Sequence, residues 1–255
     1  MLRESSYVVA EDTRVTARLL ARYDLRTPTL SLHAHSTPRQ LGDVARRLAD
    51  GDLALVSDAG TPGVSDPAAD LVRAARDLGH PVVPIPGPSA VTALLSVAGM
   101  PADQFTMLGF LPRRSGERAR VIAQVERNPW PLVVLEAPHR LEKTLAALAD
   151  GLGNRSVVVG RELTKLHEEV WVGQLGDAIA EWSAREPRGE FVLVVEGATP
   201  VVEEPWPDEE VMAEMARIIE SGVGTREASK SVAGRAHRPA RDVYSLWHSG
   251  AGGPE

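Results

Sequence analysis

The sequence predicts an α/β protein with two lobes and a small helical module at its carboxyl end. Over nearly 200 residues, short apolar and β-branched runs alternate with helical patterns, which is typical of parallel strands joined by crossover helices. In a second series of elements, residues 169–172 alternate like an antiparallel strand, so a mixed sheet is expected there. A linker with prolines and charges follows residue 197, and three helical patterns after it predict the separate module.

We expect the amino-terminal lobe to span residues 1–108, the carboxyl-terminal lobe residues 109–199, and the linker with its helical module residues 200–255. The elements expected in the first lobe are strands 8–10, 29–32, 52–56 and 82–85 and helices 13–23, 41–48, 68–78 and 89–97. The pattern breaks near residues 99–112. The elements expected after the break are strands 132–135, 157–159, 169–172 and 191–195, helices 116–127, 141–148 and 177–182, and the module's helices 208–220, 225–235 and 239–248.

Residue spacing is the basis of these assignments. In the first helix, Val15, Leu19 and Leu20 recur at the spacing of one helical face. Gly79 ends the helix that begins at residue 68, because glycine readily takes the conformation that terminates helices. Continuous apolar runs such as residues 52–56 indicate strands that are buried on both faces. Together these signals predict the α/β class.

Composition excludes several classes of protein. The chain has 255 residues and no cysteine, which excludes a disulfide framework, a thiolate nucleophile, an Fe–S cluster and Cys-ligated zinc. His33 and His35 have no clustered third ligand, so no metal is expected. No apolar run approaches about 18 residues, and the first residues lack the pattern of a secretory signal. We therefore expect a cytoplasmic protein that has no membrane segment.

The net charge of −7 argues on its face against a free nucleic-acid binder. The charges are unevenly distributed, however, because residues 203–210 carry five acids. Residues 211–248 carry six basic residues against four acids. The net charge therefore does not show whether the protein binds nucleic acid.

Residues 57–67, Ser-Asp-Ala-Gly-Thr-Pro-Gly-Val-Ser-Asp-Pro, follow a predicted strand at the end where α/β sheets bind ligands. Two glycines let the backbone approach a ligand closely, and Asp58 and Thr61 offer hydrogen bonds. The structural alternative is a tight connection in which Ser65 or Asp66 caps a helix that begins with Pro67. A cap accounts for the last three residues but leaves residues 57–63 longer and richer in glycine than it requires.

A second loop, residues 85–90 (Ile-Pro-Gly-Pro-Ser-Ala), follows the next predicted strand. Ser89 can cap the following helix while it presents its hydroxyl and N–H groups. Because both loops leave successive strands, we expect them to converge on one crevice. Neither loop has a phosphate-binding or dinucleotide-binding glycine pattern, so ATP and NAD are poor candidates.

Four further polar clusters stand at predicted strand ends. In residues 10–14 (Ala-Glu-Asp-Thr-Arg) the acids could equally be partners of the helix dipole. Residues 136–140 (Glu-Ala-Pro-His-Arg) combine three chemistry-bearing side chains, which at such a position are more often functional than structural. Residues 160–169 mix both charges, and a solvated charge run is the alternative there. Residues 189–191 (Gly-Glu-Phe) place a carboxylate before the last apolar strand, where a plain turn is the alternative.

Taken together, these strings resemble the ribosomal RNA small-subunit methyltransferase I family of the tetrapyrrole methylase superfamily. The resemblance runs in order through residues 10–14, 57–67, 86–90, 136–140 and 161–165, and covers about residues 2–248. It implies S-adenosylmethionine as cofactor and 2′-O-methylation of a cytidine in the decoding region of small-subunit rRNA. It also implies a two-lobed, usually dimeric protein with the cofactor between its lobes.

The resemblance also implies roles for individual residues. The cofactor-binding residues it implies are Asp58, Ala59, Gly60, Thr61, Pro62, Gly63, Ser89, Ala90, Phe110, Ala137, Glu190 and Phe191. The residues it places toward RNA are Glu11, Asp12, Arg14, Arg113, His139, Arg140, Arg161 and Lys165. Residues 225–233 and 241–244 resemble the family's small helical module, whose basic residues are a plausible RNA contact.

The chain departs from the family's pattern at one place. The family normally begins with a central strand and a glycine-containing loop, roughly Ala-Thr-Pro-Ile-Gly-Asn-Leu, which form one wall of the cofactor pocket. This sequence starts inside the helix that follows that loop. We therefore expect low stability or reduced cofactor binding from these 255 residues.

The implied chemistry needs alignment of a nucleophile with a sulfonium methyl group, and no metal. A ribose hydroxyl is a weak acid, so a general base or a strong hydrogen-bond acceptor would help. The candidates are Glu136 and His139, with Lys165 or Arg161 holding phosphate. Two other functions remain open: C-methylation of a tetrapyrrole such as uroporphyrinogen or a precorrin, and non-catalytic binding to the ribosome.

Overall fold

A computed structural model describes residues 1–33, 35–58, 60–64, 68–199 and 204–250 of the chain. The chain divides into two compact units, Met1–Ala198 and Thr199–Glu255. The first unit contains two sheets with their helices, and the second contains three helices. The α/β class is confirmed, as are the parallel first sheet and the mixed second sheet. The boundary near residue 108 stays a prediction.

The first sheet has three parallel strands in the order β2-β1-β3. Its strands are β1 (Tyr7–Ala10), β2 (Thr29–Ser31) and β3 (Leu53–Val56), and its helices are α1 (Thr13–Arg22), α2 (Pro38–Arg46, followed by a 3₁₀ turn) and α3 (Ala68–Asp77). Val8, Val9 and Ala10 are completely buried because β1 lies between the other two strands. Side chains from the sheet and from α2 and α3 form the core of this part.

The strand expected over residues 82–85 is wrong. These residues form no strand, and Val83 and Ile85 are more than half exposed. Within the described residues β3 is an edge strand that pairs with β1 alone, and residues 82–85 are not hydrogen-bonded to it as a further strand. Pro84 also lacks the N–H group that a strand contributes to a sheet.

The second sheet has five strands in the order β4-β5-β8-β6-β7, of which only β4 and β5 are parallel to each other. The strands are β4 (Thr106–Phe110), β5 (Leu132–Glu136), β6 (Ser156–Arg161), β7 (Glu169–Gln174) and β8 (Phe191–Val195). The helices are α4 (Ala90–Val97), α5 (Ser115–Gln124), α6 (Leu141–Leu152) and α7 (Leu175–Ser183). Strand β4 lies where the sequence pattern showed only a break.

Both faces of the second sheet are covered, because alternate residues of its central strands face opposite sides. Val134, Val159 and Leu193 pack with the apolar faces of α5, α6 and α7. Val158 and Val194 face the other side and pack against α4. The helix that follows Ser89 is therefore packed on the second sheet, although it directly follows the elements of the first.

The second unit consists of α8 (Asp208–Glu220), α9 (Thr225–Arg235) and α10 (Ala240–Gly250), in agreement with the three helical patterns. Val211, Met215, Val232 and Val243 form its own apolar core. Among the residues that the structure describes, no helix is long and apolar enough to cross a bilayer.

Candidate functional site

The carboxyl ends of β1 and β3 lie side by side, because the two strands are parallel and Ala10 is level with Val56. The residues that follow each strand therefore meet at one edge of the first sheet. The Asp12 backbone N–H donates a hydrogen bond of 3.4 Å to Oδ1 of Asp58. Glu11 is half-buried beside it, while Asp58 is exposed. The first two expected polar sites are thus in direct contact.

The loop that follows β3 also contacts the loop before α4. The Thr61 hydroxyl donates to the Pro88 carbonyl at 3.4 Å, and the Ser57 hydroxyl donates to the Gly60 carbonyl at 3.1 Å. Gly60 and Gly63 have φ angles of 72° and 90°, in the left-handed region that favours glycine. The two loops thus converge as expected, with the exposed Thr61 and the half-buried Pro62 between the two glycines.

Ala59 lies outside the described residues, and so do Ser65, Asp66 and Pro67 with the helix cap expected there. Ser89 is the N-cap of α4, and its carbonyl accepts the first helical hydrogen bond from the Ala93 N–H. Its side chain makes no capping hydrogen bond. At a helix start the first N–H groups have no partner within the helix, so the Ser89 hydroxyl and the α4 amides from Ala90 onward can bind a ligand.

Asp12 caps α1, and its carboxylate accepts hydrogen bonds from the Arg14 backbone N–H at 2.8 Å and from Nη2 of the Arg14 side chain at 2.7 Å. These bonds to Arg14 hold the pKa of Asp12 well below its ordinary value. The Arg14 side chain is 88% exposed. Asp12 thus has a structural role as the N-cap of α1, and the RNA contact expected from it stays a prediction.

One edge of the second sheet collects the remaining candidates. Phe110 is level with Leu135, and Glu136 is level with Phe191 on the antiparallel strand β8. Phe191 is in turn level with Arg161 at the end of β6. Strand ends that are distant in the sequence thus form a single row from β4 to β6.

Glu136 is buried, and its side chain has no exposed surface. Its carboxylate accepts hydrogen bonds from the Thr144 hydroxyl at 2.5 Å and the Ala137 N–H at 2.8 Å, and it lies 3.2 Å from Nε of Arg140. A general base must reach the proton that it removes. In this structure the Glu136 carboxylate is bound within the protein, and the general-base role expected for it stays a prediction. His139, in the same segment, is exposed.

Two arginines expected to face RNA instead make internal contacts. The Arg140 side chain is 16% exposed, pairs with Glu136 and also donates to the Leu111 carbonyl. Arg161 donates from Nε to the Arg188 carbonyl at 2.8 Å and lies 3.4 Å from Glu169. Burial and internal pairing thus oppose the roles expected for them. Arg113, by contrast, is exposed.

Lys165 lies between two carboxylates, with Nζ 2.9 Å from Oε1 of Glu162 and 2.9 Å from Oε2 of Glu190. Burial lowers the pKa of Lys165, but the hydrogen bonds to these carboxylates outweigh it and raise that pKa above its ordinary value. The hydrogen bond from Lys165 lowers the pKa of Glu162. Lys165 is therefore a cation at neutral pH, with 46% of its side chain exposed.

Glu162 is the residue of this edge that the sequence did not single out. It has a φ of 48°, its N–H donates to the Glu190 carbonyl at 2.9 Å, and its carboxylate accepts from the Glu190 N–H at 2.9 Å. Thr164, two residues later, also has a positive φ of 67°. Such conformations are strained for residues other than glycine and persist only where neighbouring contacts hold them. The sequence feature that could have identified Glu162 is its position as a carboxylate between Arg161 and Lys165.

The expected cofactor contacts on the second sheet differ in exposure. Phe110 is 54% exposed, whereas Phe191 is 2% exposed and packs edge-on against Trp182 at 5.1 Å between ring centroids. The Phe191 ring therefore belongs to the core, and the cofactor contact expected from Phe191 stays a prediction. The Ala137 N–H is bound to Glu136, and the Glu190 side chain is 66% exposed.

Comparison with known proteins identifies the family of this chain. The sequence profile of the Tetrapyrrole (Corrin/Porphyrin) Methylases matches residues 1–179. The chain belongs to the tetrapyrrole methylase family. Within this family it resembles proteins named ribosomal RNA small subunit methyltransferase I over most of its length.

One such tetrapyrrole methylase relative, from Synechocystis sp., is 38% identical over 96% of this chain and 88% of its own length. The protein of the same name from Bacillus subtilis is 36% identical over 97% of this chain and 86% of its own length. That from Xylella fastidiosa is 45% identical over 78% of this chain and 74% of its own length. Two of these three relatives thus align with nearly the whole chain.

Solved structures of other tetrapyrrole methylases share the fold. The methyltransferase CobJ superposes with a TM-score of 0.59 at 20% identity, over 80% of this chain and 88% of its own. Uroporphyrin-III C-methyl transferase from Thermus thermophilus, complexed with S-adenyl homocysteine, superposes with a TM-score of 0.52 at 18% identity, over 76% of this chain and 86% of its own. These likenesses concern the fold alone.

Proposed function

We propose that this tetrapyrrole methylase is an S-adenosylmethionine-dependent methyltransferase of small-subunit rRNA that methylates the 2′-hydroxyl of a cytidine in the decoding region. The observation that carries the proposal is 38% identity, over 96% of the chain, to a relative named ribosomal RNA small subunit methyltransferase I. The resemblance of residues 57–67, 136–140 and 161–165 to that family supports the finer specificity. We further propose a cytoplasmic location and a homodimer.

The residues at the edge of the first sheet fit the proposed cofactor. Gly60 and Gly63 have positive φ angles, and among the described residues no atom lies within 4 Å of a Cβ built at Gly63. The Asp58 carboxylate, the Thr61 backbone and the Ser89 hydroxyl supply the acceptors and donors that an amino acid and a ribose need. When bound, S-adenosylmethionine supplies an electrophilic methyl group on sulfur. The exposed Phe110, the half-buried Ala137 and the largely exposed Glu190 side chain complete the proposed site.

His139 is the proposed proton acceptor. It is the exposed side chain in the segment that follows β5, and an imidazole nitrogen can act as a general base toward a ribose hydroxyl. Glu136 is a positioning residue in this scheme, because it binds both Arg140, which directly follows His139, and Thr144 of α6. Lys165 and Arg113 supply positive charge for phosphate, and Arg14 does so beside the first sheet.

The proposal is tested by methyl transfer from labelled S-adenosylmethionine to small ribosomal subunits, naked small-subunit rRNA and uroporphyrinogen. We expect label in rRNA, with 2′-O-methylcytidine as the modified nucleoside after complete digestion. Label in uroporphyrinogen alone would indicate tetrapyrrole methylation instead. RNA binding without transfer of label to any of the three would indicate a non-catalytic ribosome-binding protein.

A further inference from the structure

An open cleft of about 410 Å³ lies in the carboxyl-terminal unit and is lined by residues of α9 and α10. Arg226 and Lys230 are four residues apart on α9, so they share one face of that helix. Arg241 and Tyr244 are three residues apart on α10 and line the cleft from the other side. None of the described residues that line it is acidic.

The cations of this unit fall into two groups. Of its six lysines and arginines, Arg217 and Arg235 pair with Glu214, and Arg238 pairs with Asp208. The other three make no ion pair with the residues that the structure describes. All three of these, Arg226, Lys230 and Arg241, line the same cleft. The other lysines and arginines of this unit are paired with carboxylates. The three positive charges in the cleft are therefore available to a negatively charged ligand.

The cleft has a packed base. Ala228, Val232 and Val243 are buried on the inner faces of the two helices. Ser229 is also buried, and its hydroxyl is bound to the Thr225 carbonyl at 2.7 Å. The two helices are thus held in place from below, and the three cations project from a preformed surface. Binding to a preformed surface loses less conformational freedom than binding to a flexible one.

Tyr244 adds an aromatic surface to the cleft. Its side chain is 42% exposed, and its ring centroid lies 4.4 Å from that of His248, one helical turn further along α10. An exposed ring next to several cations is the combination by which proteins bind single-stranded nucleic acid, because bases stack on rings while cations meet phosphates.

We propose that this cleft binds single-stranded RNA, with backbone phosphates at Arg226, Lys230 and Arg241 and a base stacked on Tyr244. The inference rests on the proposed rRNA substrate and adds a set of RNA-binding residues in the carboxyl-terminal unit of a protein whose net charge is −7. A single inorganic phosphate would use the cations alone, whereas an RNA strand uses both the cations and the ring.

The first test compares two doubly substituted full-length proteins. Arg226→Ala/Arg241→Ala removes two cleft charges, and Arg217→Ala/Arg235→Ala removes two charges that are paired with Glu214 in the same unit. Binding of a labelled single-stranded RNA from the decoding region is measured over a range of salt concentrations. We expect the cleft variant to weaken binding roughly tenfold and to lower the slope of log K against log salt by about 1.4, since each phosphate contact on a single strand contributes about 0.7.

The control variant should change the affinity less than twofold. Equal weakening by the two double variants would show that only net charge matters, and unchanged binding by the cleft variant would show that the RNA lies elsewhere. Either result overturns the inference. Circular dichroism of both variants verifies that the helices remain folded.

The second test concerns the ring. Tyr244→Ala should weaken RNA binding roughly fivefold or more, because stacking on the ring is lost. Tyr244→Phe should bind like the wild type, and Tyr244→Ala should leave the binding of heparin, a polyanion without bases, unchanged. If Tyr244→Ala weakens heparin and RNA binding equally, or weakens neither, the nucleic-acid assignment is overturned.

A methylation assay distinguishes failure of this inference from failure of the proposed function. If wild-type protein methylates rRNA, the cleft variant should have a raised KM for its RNA substrate and an unchanged affinity for S-adenosylmethionine. An unchanged KM together with unchanged RNA affinity overturns the cleft alone. If wild-type protein methylates no rRNA but binds RNA through the cleft, the proposed function is wrong and the inference that the cleft binds RNA still stands.

Discussion

At the scale of single residues, Glu136 and His139 lie three positions apart and differ in solvent exposure and in hydrogen bonding. Glu136 is buried with its carboxylate bound to Thr144, Ala137 and Arg140, whereas His139 is exposed. Glu136→Gln removes the charge partner of a largely buried arginine, so we expect the free energy of unfolding to fall by about 2–4 kcal/mol. Urea denaturation measures this loss. Arg114→Ala, at an exposed pair with Glu117, should cost less than about 1 kcal/mol.

His139→Ala tests the other half of this distinction. We expect kcat for rRNA methylation to fall by a factor on the order of 10²–10⁴, the range of general-base catalysis. The urea midpoint and the affinity for S-adenosylmethionine should stay near the wild-type values, because the ring is exposed. A His139→Ala protein with normal single-turnover rates would rule out His139 as the base. Loss of kcat in Glu136→Gln without loss of stability would return the role to Glu136.

At the scale of elements, Glu214 of α8 holds α9 through Arg235 while it also pairs with Arg217 of its own helix. The hydrogen bonds from these two arginines lower the pKa of Glu214 to about 2. A carboxyl group whose pKa is lowered by folding stabilises the native state above its unfolded pKa, and this stabilisation is lost as the pH falls through the folded value. The pairing should thus be complete at neutral pH and lost between about pH 4.5 and 2.

Glu214→Gln removes this dependence, because glutamine does not titrate in this range. We expect the wild-type protein to lose more stability than the variant when the pH falls from 6 to 3, as measured by urea denaturation followed through helical circular dichroism. Parallel pH profiles for the two proteins would contradict a stabilising role for the pairing. Glu227→Gln on α9 is a control, since no ion pair of Glu227 occurs among the described residues.

At the scale of the whole molecule, α4 connects the loop at Pro88 to the second sheet. Leu94 is completely buried against that sheet, and a Cβ atom at Gly160 would lie 2.8 Å from Cδ1 of Leu94. Gly160→Val should therefore displace α4, cost about 1–3 kcal/mol of stability and weaken binding of S-adenosylmethionine at Ser89. Calorimetry measures the binding, and urea denaturation measures the stability.

The double variant Gly160→Val/Leu94→Ala tests whether the displaced volume is the cause. Removing the Leu94 methyl groups makes room for valine, so the two losses should not add. We expect the double variant to bind S-adenosylmethionine better than Gly160→Val alone. Additive losses would show that the effect of valine does not pass through α4.

Much of this molecule follows from local patterns in the sequence. Continuous apolar runs such as Phe191–Val195 predict buried strands, and the three helices of the last unit follow from their spacing. The glycines and hydroxyls of residues 57–64 also indicate a ligand loop by themselves. Residues 82–85 show the limit of such patterns, because their composition favours a strand whereas a strand also needs a neighbour.

The sequence by itself determined the fold class, the positions of the polar loops and the family to which they belong, because these depend on residue type and spacing. Only the tertiary structure decided which polar side chains are available. Glu136 and Arg140 look as reactive as His139 in the sequence. In the fold, the Glu136 carboxylate accepts a hydrogen bond from Thr144, and the Arg140 guanidinium donates one to the Leu111 carbonyl. Arg226, Lys230 and Arg241 become one cleft only when two helices pack together, since shared burial and proximity are properties of the folded chain.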